Sequence, residues 1–116
     1  MKLATLKTSA TDGELVVVSR DLTLMTRVGD IAPTLQRAID IWDTARPALA
    51  ARYAALCAGD DPAAVPFDQA MAHSPLPRAY QWCDGSVYRA HADRMAQWIG
   101  KPVPDSYNAE PWMYQG

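Results

Sequence analysis

The chain has 116 residues, 49% of them hydrophobic and 21% charged, with a formal net charge of −2 at pH 7. That length holds one domain, or one domain with a tail, and buries roughly two-thirds of its unfolded surface. Charges of both signs are interspersed, which excludes a basic nucleic-acid footprint and a polybasic lipid-binding patch, and no apolar run approaches the roughly 20 residues of a membrane span.

The N-terminal Met-Lys-Leu-Ala-Thr-Leu-Lys turns polar too soon for a secretory leader. In a leaderless chain Cys57 and Cys83 are expected as reduced thiols, so the compartment expected is the cytoplasm. Residues 2–7, built around Leu3 and Leu6, and the β-branched run Glu14-Leu-Val-Val-Val-Ser19 read as two strands. Thr11-Asp-Gly13 between them is a hairpin signal. Leu22-Thr-Leu-Met-Thr-Arg27 reads as a third strand, completing a small antiparallel meander.

The pattern then becomes helical. Asp30 can cap a helix with Pro33 in its first turn, and Ile31, Leu35, Ala38, Ile39 and Trp42 recur at helical spacing. Pro47 interrupts that stripe, which Leu49, Tyr53 and Leu56 resume until Gly59. Two helices, or one kinked at Pro47, are expected to pack on the sheet with this stripe as core, and Arg52 at its edge. Seven of the nine prolines lie beyond residue 60. A Pro-rich extended segment is therefore expected, then a short helix around 86–99 and an irregular C-terminal tail. The fold class is α+β, with a domain over 1–100 and a tail over 101–116.

The chemistry-bearing residues concentrate between Leu76 and His91. If a helix starts near Gly85, Tyr88 and His91 are neighbours on one face, with Asp84 at its N-terminal end. An acid, a phenol and an imidazole that titrates near neutral pH can together move protons. The plainer readings are that Asp84 caps the helix, that Tyr80 and Tyr88 pack, and that His91 is structural. His73, in a loop before Ser-Pro, has no partner pattern. Cys83 beside Asp84 lacks the electropositive setting of a reactive thiolate. Phosphate-loop, nucleophile-elbow and paired metal-ligand motifs are absent from the sequence.

Several segments, in order along the chain, resemble the N-terminal region of bacterial fumarylacetoacetate hydrolase family proteins. They are Met1-Lys-Leu-Ala-Thr-Leu-Lys7, Gly13-Glu-Leu-Val-Val-Val-Ser-Arg-Asp-Leu22, Ile31-Ala-Pro-Thr-Leu-Gln36, Ser74-Pro-Leu-Pro-Arg-Ala-Tyr-Gln-Trp82, Asp84-Gly-Ser-Val-Tyr-Arg-Ala-His91 and Met113-Tyr-Gln-Gly116. The resemblance implies hydrolytic cleavage of a carbon–carbon bond in a 1,3-diketo acid, as in aromatic catabolism, with a divalent metal (Mg²⁺ or Ca²⁺) in the full-length enzyme. By motif position His91 is the water-activating base, Asp84 a metal ligand, and Tyr88 and Tyr114 lie near the substrate carboxylate or oxyanion.

Three departures accompany it. Tyr88 stands four residues after Asp84, where the animal enzymes place a tyrosine two after. The segment following His91 reads Met95-Ala-Gln-Trp-Ile-Gly100 instead of a basic run. The family's remaining metal ligands, and the Glu that partners the His, lie in a larger C-terminal domain. The expectation is thus a truncated form or fragment, inactive and metal-free by itself, whose partner is that catalytic domain or a separate chain. A homodimer formed through the apolar tail is an alternative assembly. A non-catalytic interaction domain is the alternative function.

Overall fold

The computed structural model describes residues 1–110 and 112–115, in two compact units, Met1–Arg78 and Ala79–Gly116. In the first unit, β1 (Lys2–Leu6), β2 (Glu14–Val18), β3 (Leu24–Arg27) and the short β4 (Val65–Pro66) form one antiparallel sheet in sequential order. Strand β2 is interior to this sheet, and Leu15 to Val18 are all buried. Their side chains alternate between two cores, as the strand period requires. Leu15 and Val17 pack with Val28, Ala38, Leu49 and Leu56, whereas Val16 and Val18 pack with Leu6, Met25 and Phe67. A strand covered on both faces reads as an unbroken apolar run, which is why Leu-Val-Val-Val shows no alternation.

The β1–β2 hairpin closes through Gly13, at φ 64°. A Cβ there would lie 2.4 Å from the Leu6 carbonyl oxygen and 2.6 Å from Thr5 Cγ2, so the backbone approach admits glycine only. The β2–β3 turn is organised by Asp21. Its carboxylate accepts hydrogen bonds from the Ser19 hydroxyl and from the Thr23 amide and hydroxyl. Those bonds, the Ser19 one foremost, hold its pKa down to about 2.

The helical layer comprises α1 (Leu35–Asp40) and α2 (Trp42–Ala58). Helix α1 begins later than the sequence pattern indicates: Thr34 caps it, accepting from the Arg37 amide at 3.1 Å. Asp30 instead pairs with Arg52 at 2.9 Å, and the Pro33 carbonyl accepts from the Leu15 amide. The break between the helices falls at Ile41 (φ −119°, ψ 34°), not at Pro47. Proline at 47 sits in the second turn of α2 and removes only the bond that its amide would give to the Asp43 carbonyl, so the helix runs through it. The break resets the helical phase. Ala38, Ala45, Leu49 and Leu56 face the core, while Ile39 and Trp42, expected in the same stripe, are exposed. Gly59 ends α2 in the left-handed conformation, as its position after the stripe indicates.

The Pro-rich stretch after α2 is extended in part, interrupted by a 3₁₀ turn at Gln69–Met71, and it protects the sheet edges. Val65 and Pro66 pair with β3. The chain then reaches β1, where the His73 amide donates to the Thr5 carbonyl at 2.7 Å and the Thr5 hydroxyl donates to the Pro75 carbonyl at 2.7 Å. Arg78 closes the unit with a two-pronged pair to Asp12, which lowers the Asp12 pKa.

One polar atom is out of place in the sheet. Thr26, opposite Val17 in register and fully buried, leaves its hydroxyl without a hydrogen-bond partner. Thr26→Val keeps the shape and removes the unpaired group, so a gain of about 1 kcal/mol is expected in urea unfolding. A loss of stability would show that the hydroxyl is satisfied.

The second unit contains β5 (Cys83–Ser86), α3 (Arg89–Ile99), a 3₁₀ turn (Asp105–Asn108) and β6 (Trp112–Gln115). Strands β5 and β6 form an antiparallel ribbon, with Asp84 opposite Tyr114 and Ser86 opposite Trp112. The tail expected to be irregular thus supplies a strand, and the helix and tail separated at residue 100 in the sequence reading lie in one unit. Pro111 and Gly116, which belong to that expected tail, lie outside the described residues. Over the described residues the fold is α+β: an N-terminal meander, three helices and a second small sheet.

Candidate functional site

The second unit is thinly cored: Ala92 and Tyr107 are its buried hydrophobic side chains among the described residues. Tyr107 holds it together from two sides. Its ring meets Trp112 edge-on at 5.4 Å, and its hydroxyl donates to the Tyr88 carbonyl at 3.1 Å. That same carbonyl accepts from the amides of His91 and Ala92, so the start of α3 is fixed by three bonds to one oxygen.

The expected helix from Gly85 does not form there. Residues 83–86 are strand because they pair with 112–115, a partner far along the chain that no local pattern signals. Helix α3 starts at Arg89 with Tyr88 as its N-cap, and no side chain caps it, so Asp84 is not a helix cap. The idea that Asp84, Tyr88 and His91 lie along one helical edge is therefore replaced by a different convergence. Asp84 comes from β5, Tyr114 from the facing position of β6, Tyr88 from the loop between β5 and α3, and His91 from the first turn of α3. All four line one cavity of about 270 Å³, together with Gly85, Ser86 and Val87. His73, in the first unit, accepts from the Ser74 amide through Nδ1 and has no place in it.

Asp84, His91 and Tyr114 also border a larger groove of about 420 Å³. Its other walls include Met95, Ile99, Val103, Tyr107 and Trp112, which the sequence reading did not assign to a site. Two signals for them are present in the sequence. His91, Met95 and Ile99 are spaced by four along one helical face, and Trp112 and Tyr114 are two apart on one face of a strand. The Asp84–Tyr114 and Ser86–Trp112 pairs put both ends of the ribbon's inner face against the groove.

This edge combines a base or acid (His91), an anionic oxygen (Asp84) and two phenols (Tyr88, Tyr114). It can move a proton and hold an oxyanion or carboxylate. It falls short of a metal centre. Among the described residues no group of three or more His, Cys, Asp or Glu side chains could hold an ion. A hard divalent cation takes six or more oxygen ligands, and Asp84 supplies two at most. Cys57 and Cys83 are exposed and unbridged, and no helix among the described residues is long and apolar enough to cross a membrane.

No curated protein matches the chain. The family described as fumarylacetoacetase N-terminal domain 2 matches residues 1–78, the whole of the first compact unit and more than half of the 116 residues. With its two-faced meander, its helical layer and its strapped edges, the chain belongs to the fumarylacetoacetase N-terminal domain 2 family.

Proposed function

We propose that the chain serves a fumarylacetoacetate hydrolase-like enzyme, which cleaves a carbon–carbon bond of a 1,3-diketo acid by hydrolysis, and that it contributes one wall of the active site. The observation that carries this reading is the convergence of Asp84, Tyr88, His91 and Tyr114 on one cavity, in a chain whose first unit is a fumarylacetoacetase N-terminal domain. His91 takes a proton from water as it adds to the ketone carbonyl. The bond between that carbonyl carbon and the neighbouring carbon then breaks, leaving the first as a carboxylic acid; its electron pair passes to the departing enolate, whose carbon takes up the proton held by His91. Tyr88 and Tyr114 donate hydrogen bonds to the substrate carboxylate and to the oxyanion formed on the way.

The Mg²⁺ or Ca²⁺ that the family resemblance implies does not fit the residues of this chain alone, and none of these steps is assigned to it. Asp84 is at most one ligand of such an ion, so the remainder of the site comes from a catalytic domain or partner chain. The exposed, unbridged cysteines accord with a reducing cytoplasmic setting.

The reading predicts that the 116-residue chain by itself neither hydrolyses a 1,3-diketo acid nor binds Mg²⁺ tighter than ~10 µM, because that affinity needs several rigid oxygen ligands. Calorimetric titration, with the ultraviolet absorbance of the diketo acid followed in parallel, checks both. A tight one-to-one site or steady turnover would overturn it. A second reading, a non-catalytic interaction domain, is favoured by the exposed aromatic side chains of the second unit, Tyr80, Trp82 and Trp98. It requires that the chain bind a partner protein while His91 stays dispensable to that partner's activity.

A further inference from the structure

The groove beside His91 differs in character from the smaller cavity that holds the four candidate residues. Of its polar members, Asp84, Ser86, His91 and Tyr114 come from the region shared with that cavity, and Lys101 lies beyond it. Met95, Ile99, Val103 and Trp112 make a continuing apolar wall. The volume, about 420 Å³, lies in the range of small-molecule sites, which are mostly apolar with a few convergent polar groups. Tyr107, set edge-on to Trp112, keeps that indole upright against the groove, and its own hydroxyl is occupied by the Tyr88 carbonyl. A rigid indole bordered by aliphatic side chains fits a flat hydrocarbon group.

From this juxtaposition we infer that the groove is the arm pocket of the same site and selects 1,3-diketo acids whose acyl arm is aromatic. The inference rests on the diketo-acid reading of the His91 edge. The diketo-acid head lies among Asp84, Tyr88, His91 and Tyr114, and the arm lies between α3 and Trp112.

The test uses the 116-residue chain and three probes: benzoylpyruvate, which has head and arm; acetylpyruvate, which has the head alone; and 4-phenylbutanoate, which has the arm without the diketone. Binding is followed by calorimetry and by the Met95 methyl resonance. Benzoylpyruvate is expected to bind at least about tenfold tighter than acetylpyruvate, the worth of burying several extra ring carbons. Ala96→Phe, which fills the groove from α3, is expected to reduce that preference to near one. Met95→Ala, at a partly exposed position where folding is not at stake, should weaken benzoylpyruvate about threefold or more.

Equal affinity for benzoylpyruvate and acetylpyruvate overturns the inference and leaves the diketo-acid reading standing. A preference that survives Ala96→Phe also overturns it. If 4-phenylbutanoate binds as tightly as benzoylpyruvate and Ala96→Phe abolishes both, the groove takes an aromatic group irrespective of the diketone, and the diketo-acid reading fails together with the inference built on it.

Discussion

Replacing His91 by Ala, in the enzyme assembled with whatever completes its site, should lower kcat by about two to four orders of magnitude, the usual worth of a positioned general base. KM should move much less, because proton transfer is a feature of the transition state and not of the bound ground state. The position makes the experiment clean. His91 is exposed, in the first turn of α3, and its structural bond is made by its backbone amide to the Tyr88 carbonyl, which alanine preserves. The melting temperature should therefore stay within a degree or two. An unaltered kcat in the folded variant removes His91 from the mechanism, and a large loss of stability assigns it a structural role instead. Tyr114→Phe offers a graded companion: loss of one phenolic hydrogen bond should reduce kcat/KM by about tenfold, or 1.4 kcal/mol.

Gly13→Ala should destabilise the first unit by roughly 3–5 kcal/mol, which combines the cost of a left-handed backbone with an overlap that cannot relax. The added Cβ would meet the Leu6 carbonyl oxygen and Thr5 Cγ2, and both belong to the strand paired with β2. Relief would require opening the β1–β2 register. That register puts Leu15 and Val17 in the helix-covered core and Val16 and Val18 in the other, so its loss is felt on both faces. Small domains have total stabilities of about 5–15 kcal/mol, which puts the variant near its unfolding threshold at room temperature. Urea unfolding of Gly13→Ala beside Gly29→Ala checks the cause. Gly29 has open space around its missing side chain and no positive φ, so its variant should differ from the parent by well under 1 kcal/mol. Similar losses in the two would show that the glycine effect is generic.

The features legible in the sequence are those fixed by neighbours in the chain. The Asp-Gly turn, the β-branched run of β2 and the glycine after Leu56 each have a local physical cause, a turn geometry or a period, and each appears where that cause puts it. Spacing and residue chemistry single out Asp84, Tyr88 and His91, the motif resemblance adds Tyr114, and the fold brings all four to one cavity. The route differs from the one the spacing indicates, because whether 83–86 is helix or strand depends on a partner strand about thirty residues later. Local preference cannot register that pairing, as the loop entropy it costs is repaid only by contacts formed at a distance. The same reason hid the break at Ile41. Nothing in Asp40-Ile-Trp42 disfavours helix, and the turn there lets Ile41 pack on the core while Trp42 swings outward. Sequence alone thus determined the local turns, the buried strand and the family of the first unit. Tertiary structure decided which faces those segments turn inward, and so which side chains share a site.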